Sequence, residues 1–501
     1  MLIKTDKDTF LDYLEDSSGL KGGFADEAIF PESEEEIIDF LKEANLKKRP
    51  ITISAGRTGV TGGAVPFGGI LISTENLNHA LEIDKNTEIV KVGCSVRIRK
   101  LEEAVLKQGL FYPVDPTEKD ATLGGNIATN ASGAMGFRFG STRNHIMSLK
   151  IILPNGDTLS LKRGEYFCDN KGCFEISTSS KKILNFKIPD YKMPNIKNAA
   201  GYYVKSNMDL IDLFIGHEGT LGIIFEAEFR LIKLPKDILG ILSFFKKEED
   251  ALSFSDNLRE LSFKAAHEEN IGQPEVISIE YFDSNSINML KEEYKNIPSD
   301  TASVIFFEQA VEYDINTELL EWYEKMLKDF NSDIDKSWCA LDVKAKERLR
   351  EFRHRLPTLV NEQVKRNGFP KVGTDIAVPK EHFKTMYSFY KESLKNADIE
   401  YVIFGHIGDC HLHLNLLPKD KVEFLCSKEL YLKFVEKAIS LGGTVSAEHG
   451  IGKLKHTYLE RMYSRKSILQ MAKLKKALDP DCILNLDNIF PKEYLQGIKN
   501  S

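Results

Sequence analysis

The strongest constraint on the fold is a glycine-rich segment that directly follows a short apolar strand. Residues 51–54 (ITIS) are typical of a β-strand, and residues 55–63 (AGRTGVTGG) contain four glycines in nine positions. Glycines let successive backbone N–H groups converge and let a ligand approach without intervening Cβ atoms, as a pyrophosphate requires. The spacing is neither a Walker loop nor the Rossmann fingerprint, so from this segment alone an ordinary glycine-rich turn is an equal alternative.

Two further segments of small residues follow the first. Residues 113–133 read PVDPTEKDATLGGNIATNASG, and residues 216–224 read GHEGTLGII. Both offer many backbone N–H donors and short polar side chains, with few large side chains to block a ligand. Three such segments in one chain favour a phosphate-containing cofactor over unrelated turns.

Composition narrows the class of protein. The chain has 501 residues, 42% hydrophobic and 28% charged, which is enough for two or three globular domains. A net charge of −8 without a basic block makes nucleic acid an unexpected partner. The start MLIKTDKDTF lacks the apolar core of a signal peptide, and the seven scattered cysteines suit a reducing compartment. We expect a cytoplasmic protein with no transmembrane segment, whose contact with membranes, if any, is peripheral.

The first half of the chain alternates helices and strands. Ser33 and Glu36 form a capping box that predicts the start of a helix before the strand at residues 51–54. Asn155 and Gly156 predict a tight hairpin turn. The polar stretch of residues 163–197 predicts an irregular loop, to which we assign no chemistry.

Near residue 237 the pattern changes. Long strand-like runs alternate with helical patterns such as residues 316–330. The strand-like runs are residues 238–245, 275–282, 303–311 and 400–406. The sequence therefore predicts an α+β protein of two domains, residues 1–235 and 236–495.

Three of the 11 histidines fall within eight residues: His406, His411 and His413. The alternating leucines at 412, 414 and 416 predict a strand that places His411, His413 and Asn415 on its opposite face. A second polar group, SAEHGIG, follows at residues 446–452. Two imidazoles and a carboxylate with an open position are typical of a divalent-metal site of the zinc type. The alternative is that the histidines only bond to one another or to backbone carbonyls.

The three glycine-containing segments resemble, in order and spacing, the flavin-contacting stretches of FAD-binding oxidases and dehydrogenases with the fold of vanillyl-alcohol oxidase and p-cresol methylhydroxylase. The resemblance implies a two-domain flavoprotein, with an N-terminal FAD-binding domain of the p-cresol methylhydroxylase type and a C-terminal FAD-linked oxidase domain of antiparallel sheet and helices. It also implies that the first segment holds the pyrophosphate, the second lies along the ribityl chain and isoalloxazine, and the third closes over the cofactor. Residues 55–63 and 113–133 contain no histidine or cysteine for covalent attachment, so we expect non-covalent FAD.

A C-terminal segment, residues 478–485 (LDPDCILN), resembles the family's LDPxxILNP stretch, whose asparagine lies near the flavin ring. In this chain Leu486 and Asp487 replace the Pro-Gly that usually follows. The full set of residues that the resemblance assigns to FAD is Gly56, Arg57, Thr58, Gly59, Gly62, Gly63, Pro116, Thr122, Gly124, Gly125, Asn126, Ala128, Gly133, Glu218, Gly222, Ile223 and Asn485.

Residues 406–415 look like the HxGDGNxHxN stretch, and residues 446–452 like the SxEHGxG stretch, of the family's D-2-hydroxy acid dehydrogenases, which include D-lactate, glycolate and D-2-hydroxyglutarate dehydrogenases. This resemblance implies that His406, His413 and Glu448 hold a divalent metal, zinc with manganese as the alternative. It implies that His449 is the catalytic base and contacts the substrate. One departure is that Cys410-His411 stands where the branch has Gly-Asn, so His411 could add a ligand or narrow the pocket.

Arg353 matches the arginine that binds the substrate carboxylate in this branch, and Asn415 matches a substrate-contacting asparagine. Without the resemblance, a solvated basic helix face is the better interpretation of Arg353. In hydroxyglutarate-type members a threonine and a lysine serve a second carboxylate. Here Pro357 occupies the position of the threonine and Gly373 that of the lysine, with Lys371 two residues earlier. The substrate is therefore expected to be a small monocarboxylic D-2-hydroxy acid such as D-lactate.

The expected reaction is oxidation of this acid to the 2-oxo acid, with hydride transfer to flavin N5 and electrons passing on to a quinone, a cytochrome or an electron-transfer flavoprotein. Three alternatives stay open. They are a non-redox flavin transferase of the alkyl-glycerone-phosphate synthase kind, a metal-dependent hydrolase, and a degenerate flavin-binding protein without turnover.

Overall fold

A computed structural model describes residues 1–268, 275–312, 315 and 317–498, the side chains of 265–268 excepted. The chain forms two compact units. Unit 1 comprises Met1–Gly133, Gly140–Leu234 and Ser446–Ser501, and unit 2 comprises Ala134–Phe139 and Pro235–Val445. The predicted domain from 236 to 495 is continuous in sequence, whereas the compact units separate its last part from the rest; the domain boundaries stay a prediction.

The described part of the chain contains eleven α-helices. In chain order they are α1 (Glu34–Leu46), α2 (Ile98–Leu106), α3 (Leu123–Thr129), α4 (Gly136–Phe139), α5 (Glu248–Glu268), α6 (Ser284–Lys291), α7 (Thr317–Asp329), α8 (Val343–Asn367), α9 (Phe383–Lys395), α10 (Lys421–Ser440) and α11 (His456–Leu478). Helix α7 confirms the helical pattern at residues 316–330, although Asn316 itself lies outside the described residues.

Unit 1 contains thirteen strands among its described residues. They are β1 (Leu2–Lys4), β2 (Glu27–Phe30), β3 (Ile51–Ser54), β4 (Ile70–Ser73), β5 (Leu81–Asp84), β6 (Ile89–Gly93), β7 (Leu110–Phe111), β8 (Ile146–Ile152), β9 (Thr158–Lys162), β10 (Cys173–Ser177), β11 (Ile183–Lys187), β12 (Ile223–Arg230) and β13 (Ile232–Lys233). One sheet has the order β1-β2-β4-β3, and a second, entirely antiparallel sheet has the order β5-β6-β12-β8-β9.

Local sequence explains how the first sheet of unit 1 begins. The Ser33 side chain accepts a hydrogen bond from the Glu36 N–H, as its capping position predicts, and starts α1. Helix α1 buries Ile37, Leu41 and Ala44 in one core that also contains Ile51 of β3. The hairpin predicted at Asn155 and Gly156 is confirmed by the pairing of β8 with β9.

The C-terminal segment joins unit 1 through the edge of its first sheet. The Ile51 N–H donates to the Ile483 carbonyl at 2.7 Å, and the Asn485 N–H donates to the Ile51 carbonyl at 2.8 Å. Ile483 and Leu484 are buried in the same core as α1. These contacts are the physical reason why residues 446–501 group with the N-terminal part of the chain.

The polar stretch of residues 163–197 is not wholly irregular, so that prediction was wrong in part. Strands β10 and β11 pair as an antiparallel hairpin, with Phe174 opposite Phe186 and their ring centroids 5.5 Å apart. Alternate residues of β10 are buried, a period-two pattern that the surrounding charges obscured in the sequence.

Unit 2 is built on one antiparallel eight-stranded sheet, as the predicted fold class requires. Its strands are β14 (Asp237–Phe245), β15 (Val276–Phe282), β16 (Ser303–Val311), β17 (Trp338–Ala340), β18 (Val372–Gly373), β19 (Ile376–Ala377), β20 (Tyr401–Gly405) and β21 (His411–Leu416). The order is β17-β14-β16-β15-β20-β21-β18, and β19 pairs with β21. Helix α8 packs Phe352, Leu356 and Val360 into the hydrophobic core of this sheet.

Candidate functional site

The three small-residue segments of unit 1 line a single cavity, with about 900 Å³ of empty space when its open mouth is included. The residues assigned to FAD from the sequence that line it are Gly56, Arg57, Thr58, Gly59, Gly63, Thr122, Gly124, Gly125, Asn126, Ala128, Glu218, Gly222, Ile223 and Asn485. The tertiary structure thus brings together most of a set that is spread over 430 positions of sequence.

Gly62, Pro116 and Gly133 are not among the lining residues. A Cβ atom on Gly133 would overlap the carbonyl oxygen of Asp115, so this glycine allows two backbone segments to pack closely. Gly62 has a φ of +78°, and a Cβ there would lie 2.7 Å from Leu20 Cδ2. For both glycines the structure gives a packing reason rather than contact with the cavity.

Arg57 lines the cavity, but its side chain is already engaged within unit 1. Its guanidinium lies 3.4 Å from the Glu75 carboxylate and 4.1 Å from the centre of the Tyr13 ring. Its φ of 57° is in the left-handed region. The loop therefore has one non-glycine residue in a strained conformation, held by an ion pair and a cation–π contact.

His217 presents a buried hydrogen-bond donor at the same cavity. Its Nδ1 accepts from the Leu221 N–H at 3.3 Å, so in the neutral ring Nε2 carries the proton. Burial lowers the pKa of His217 to about 3, which keeps the ring neutral at ordinary pH. Within the described part of the chain Nε2–H finds no acceptor, although His217 lines the cavity. A buried donor of this kind fits a flavin, whose carbonyls and ring nitrogens are acceptors.

Glu218 positions the segment that follows His449. Its two carboxylate oxygens accept from the N–H groups of Ile451 and Gly452 at 2.7 and 2.6 Å. Burial raises the pKa of Glu218 to about 7, against the lowering effect of these two hydrogen bonds. The sequence assigned Glu218 only to the cofactor and missed this positioning contact.

A buried lysine fixes the third small-residue segment, residues 216–224, to the C-terminal segment, residues 478–485. Lys475 Nζ lies 2.8 Å from the Asp479 carboxylate and donates at 2.8 Å to the carbonyls of Thr220 and Leu484. Both Lys475 and Asp479 are almost completely buried. Sequence reasoning noted Asp479 only as part of the LDP stretch and missed Lys475, whose signal was a charged residue on the apolar face of α11.

Glu448 and His449 lie in unit 1. The Glu448 carboxylate contacts Lys197 Nζ at 2.5 Å and accepts from Ser132 Oγ at 3.2 Å. Lys197 comes from the polar stretch to which no chemistry was assigned, so the sequence missed it. His449 is half-buried, and its carbonyl accepts from Thr61 Oγ1 at 3.3 Å.

The histidine cluster of unit 2 is formed by two neighbouring strands and the turn between them. His406 follows β20, residues 407–410 turn the chain, and His411 and His413 lie on β21. The ring centroid of His411 lies 4.5 Å from that of His413, and His406 lies 5.7 and 5.5 Å from these two. Leu412, Leu414 and Leu416 are buried, as the alternation predicts.

Two of these rings have an acceptor at Nδ1. His406 Nδ1 lies 2.7 Å from the buried Glu280 carboxylate, and His413 Nδ1 lies 3.3 Å from the Thr374 carbonyl. Since both partners only accept hydrogen bonds here, Nδ1 carries the proton and Nε2 offers its lone pair. A carboxylate or carbonyl behind the imidazole is the usual arrangement around a metal-binding histidine, so these residues fit a divalent ion.

Arg353 does not belong to a solvated face. Its side chain is only 11% exposed, and Nε lies 3.5 Å from the second oxygen of Glu280. Glu280 therefore contacts both His406 and Arg353, and links a predicted metal ligand to the predicted carboxylate anchor. Asn415 is buried beside β18, where a Cβ on Gly373 would lie 2.9 Å from Asn415 Oδ1.

In the described parts of the chain, no helix has both the length and the apolar character needed to cross a membrane. All seven cysteines are free thiols, including the neighbours Cys168 and Cys173.

Comparison with known proteins matches both halves of the chain to flavoprotein families. The family described as FAD binding domain matches residues 25–162, and the family described as FAD linked oxidases, C-terminal domain, matches residues 251–489. A crystal structure of alkyldihydroxyacetonephosphate synthase superposes with a TM-score of 0.66 at 17% identity, covering 96% of this chain and 82% of the other. At this identity the likeness shows the two-domain flavoprotein fold alone.

Three relatives align over almost the whole chain. Glycolate oxidase subunit GlcD of Bacillus subtilis is 28% identical, covering 93% of this chain and 89% of the relative. D-lactate dehydrogenase of Anaerostipes hadrus is 29% identical, covering 90% of this chain and 87% of the relative. D-2-hydroxyglutarate dehydrogenase of Stutzerimonas stutzeri is also 29% identical, covering 92% of this chain and 90% of the relative. The protein is therefore an FAD-dependent oxidoreductase and belongs to the FAD-linked oxidases, in the branch that contains these glycolate, D-lactate and D-2-hydroxyglutarate enzymes.

Proposed function

We propose that the protein oxidises a small monocarboxylic D-2-hydroxy acid, of the D-lactate type, to the 2-oxo acid. The observation that carries this proposal is the arrangement around Glu280, which joins a histidine suited to bind metal and a largely buried arginine suited to bind a carboxylate. A 2-hydroxy acid needs both groups, because its hydroxyl and its carboxylate lie on adjacent carbons.

The cavity of unit 1 is proposed to hold FAD non-covalently, and His406, His413 and Glu448 to hold the divalent ion. When bound, the flavin supplies the hydride acceptor at N5, and the ion supplies a Lewis acid for substrate oxygens. Zinc is favoured by the two imidazoles and the carboxylate, with manganese as the alternative.

The substrate is proposed to bind to side chains of the protein through its carboxylate. The Arg353 guanidinium offers a planar fork that matches a carboxylate, and the Asn415 amide adds a hydrogen bond. Fixing the carboxylate limits the orientations of the α-carbon, which is the main requirement for hydride transfer.

His449 is proposed to accept the hydroxyl proton at a ring nitrogen as the general base. As that proton leaves, the α-hydrogen departs with its electron pair and the C–O bond becomes a carbonyl, so the substrate loses one proton and one hydride. The contact of Glu218 with the Ile451 and Gly452 N–H groups supports this role, because it restrains the backbone that carries the base.

The choice of substrate rests on Pro357 and Gly373, which offer no hydroxyl or ammonium group to a second carboxylate. Pro357 lies inside α8, where its ring cannot donate a hydrogen bond. D-lactate is therefore expected to reduce the flavin faster than D-2-hydroxyglutarate.

The non-redox transferase alternative has only the shared fold in its favour, and a hydrolase does not account for the FAD-linked family. The electron acceptor, whether a quinone, a cytochrome or an electron-transfer flavoprotein, and the cytoplasmic location stay predictions.

The proposal is tested by mixing the enzyme anaerobically with D- and L-lactate and following flavin bleaching in a stopped-flow instrument. The D-enantiomer is expected to reduce the flavin, and His449→Ala to slow this on the order of a hundredfold or more while FAD stays bound. Arg353→Ala should weaken substrate binding as well as rate. Equal rates with both enantiomers, or an unchanged rate in the His449 variant, would refute the proposed chemistry.

A further inference from the structure

We propose that His411 is a third histidine ligand of the metal ion, in addition to the two histidines expected from the family resemblance. The inference rests on the proposed function, because it concerns the same ion. It starts from the departure at residues 410–411, where the branch has Gly-Asn and this chain has Cys-His.

Position is the first argument. His411 lies on the same face of β21 as His413 and is completely buried. His406, His411 and His413 each offer a ring nitrogen, and these nitrogens lie within 4.8 Å of one another. A side chain at this point of the strand therefore lies beside the two histidines that are proposed to hold the ion.

The second argument is the carboxylate behind the ring. His411 Nε2 lies 3.2 Å from Asp375 Oδ1, and Asp375 is only 1% exposed. His406 and His413 likewise have an acceptor behind the ring, the Glu280 carboxylate and the Thr374 carbonyl, which face Nδ1 of these two residues. A carboxylate or carbonyl behind the imidazole is the usual arrangement around a metal-binding histidine.

The third argument is electrostatic. Ring nitrogens that lie so close together repel one another wherever two lone pairs or two protonated rings face each other. A divalent cation among them removes this repulsion and uses each lone pair. A purely structural His411–Asp375 pair explains the burial of the two residues, but it leaves the repulsion among the three rings uncompensated.

The consequence is a metal site with three neutral nitrogen donors on unit 2. Imidazole suits zinc, copper, iron and nickel, whereas magnesium and manganese prefer oxygen ligands. Compared with a site that has an asparagine at this position, the protein should bind zinc more tightly and prefer it more strongly over manganese.

The test uses the FAD-loaded enzyme, first freed of metal with a chelator. Zinc affinity is measured by competition with a chromogenic chelator for the wild type, His411→Asn and His79→Asn. His411→Asn introduces the asparagine that the D-2-hydroxy acid dehydrogenases have at this position. It is expected to lower the affinity for zinc at least tenfold and the affinity for manganese by a smaller factor. His79 is an exposed histidine of unit 1, and its replacement is the matched control that should change nothing.

A direct measurement on the wild type does not depend on any variant folding well. With cobalt(II) in place of zinc, each coordinated imidazole gives one solvent-exchangeable, strongly shifted N–H proton resonance. Three resonances are expected in the wild type and two in His411→Asn. Asp375→Asn, which removes the acceptor charge but keeps the shape, should shift the third resonance and weaken binding less than His411→Asn.

The outcomes separate the two proposals. Unchanged zinc affinity in His411→Asn, or two resonances in the wild type, would overturn the role of His411 and leave the site of His406 and His413 intact. A wild type that binds neither zinc nor cobalt would overturn both this inference and the metal in the proposed function.

Discussion

The cavity of unit 1 is formed mainly by backbone, whereas the histidine cluster of unit 2 is formed by side chains. The cavity is lined largely by backbone and small side chains such as Gly56, Gly124 and Gly125. The cluster consists of large side chains, each with an acceptor from another strand or loop, as Glu280 stands behind His406. Close backbone packing thus shapes one site, and buried hydrogen bonds and charges orient the other, so different substitutions should damage each.

Metal removal gives the largest expected difference between the two regions. Treatment with a chelator should abolish reduction of the flavin by D-lactate while FAD remains bound, because the proposed ligands do not line the cavity of unit 1. Addition of zinc should restore activity. Turnover, bound FAD and metal content are measured on the same sample, and full activity in demonstrably metal-free enzyme would contradict the prediction.

Glu280→Gln should impair the cluster and spare the cavity. It keeps the size of the side chain but removes the charge that orients His406 and Arg353, so metal affinity should fall ten- to a hundredfold. The Michaelis constant for the acid should rise as well. Competition titration and steady-state kinetics check this, with Glu347→Gln, an exposed residue of α8, as control. A loss of FAD with unchanged metal affinity would contradict the prediction that this substitution impairs the cluster and spares the cavity.

A pair of glycines tests how strongly close backbone packing beside the small-residue segments stabilises unit 1. Gly133→Ala should destabilise the protein by about 1–3 kcal/mol or more, because the added Cβ would overlap the Asp115 carbonyl. Gly59→Ala is the matched control, since no atom lies within 4 Å of a Cβ built there. Denaturant unfolding of the two variants measures the effect. Equal stabilities would show that the backbone at Gly133 can move to make room.

The smallest expected effect is a pH dependence that arises from Glu218. Its pKa is raised from 4.5 to about 7 in the folded protein, so the folded state binds this proton more tightly than the unfolded chain. The stabilisation is complete below the unfolded pKa and is lost as the pH rises through about 7, with on the order of 2 kcal/mol of the loss between pH 5 and pH 7.

Glu218→Gln isolates this contribution. It should flatten the fall in unfolding free energy between about pH 5 and pH 7, while it lowers stability near pH 5, because its amide NH₂ would face a backbone N–H. Unfolding curves at several pH values measure both effects, and parallel curves for the wild type and the variant would show that Glu218 does not titrate in this range.

Much of the fold and of the candidate site could be predicted from local pattern. The helix started by Ser33, the hairpin at Gly156 and the strand that carries His411 and His413 are all present. The glycine segments that line the cavity were also predicted. Each signal involves residues within a few positions of one another, where backbone geometry fixes which side chains share a face.

The partners that complete the sites come from distant parts of the chain. Glu280 is separated from His406 by 126 positions, and it stands in a strand, VISIEYF, that is otherwise almost entirely apolar. A lone charge in a buried strand is a signal that could have identified it. Lys197 offered no such signal, because it lies in a polar stretch with many other charged residues.

The sequence by itself determined which segments have the backbone freedom to surround a cofactor and which strand presents its histidines on one face. Only the tertiary structure decided that residues 446–501 join unit 1, that Arg353 is buried against Glu280, and that Glu218 holds the backbone after His449. The reason is that periodicity is set by neighbours along the chain. Burial and pairing of charges depend instead on which distant segment packs alongside, and a buried carboxylate is stable only where that segment supplies its donors.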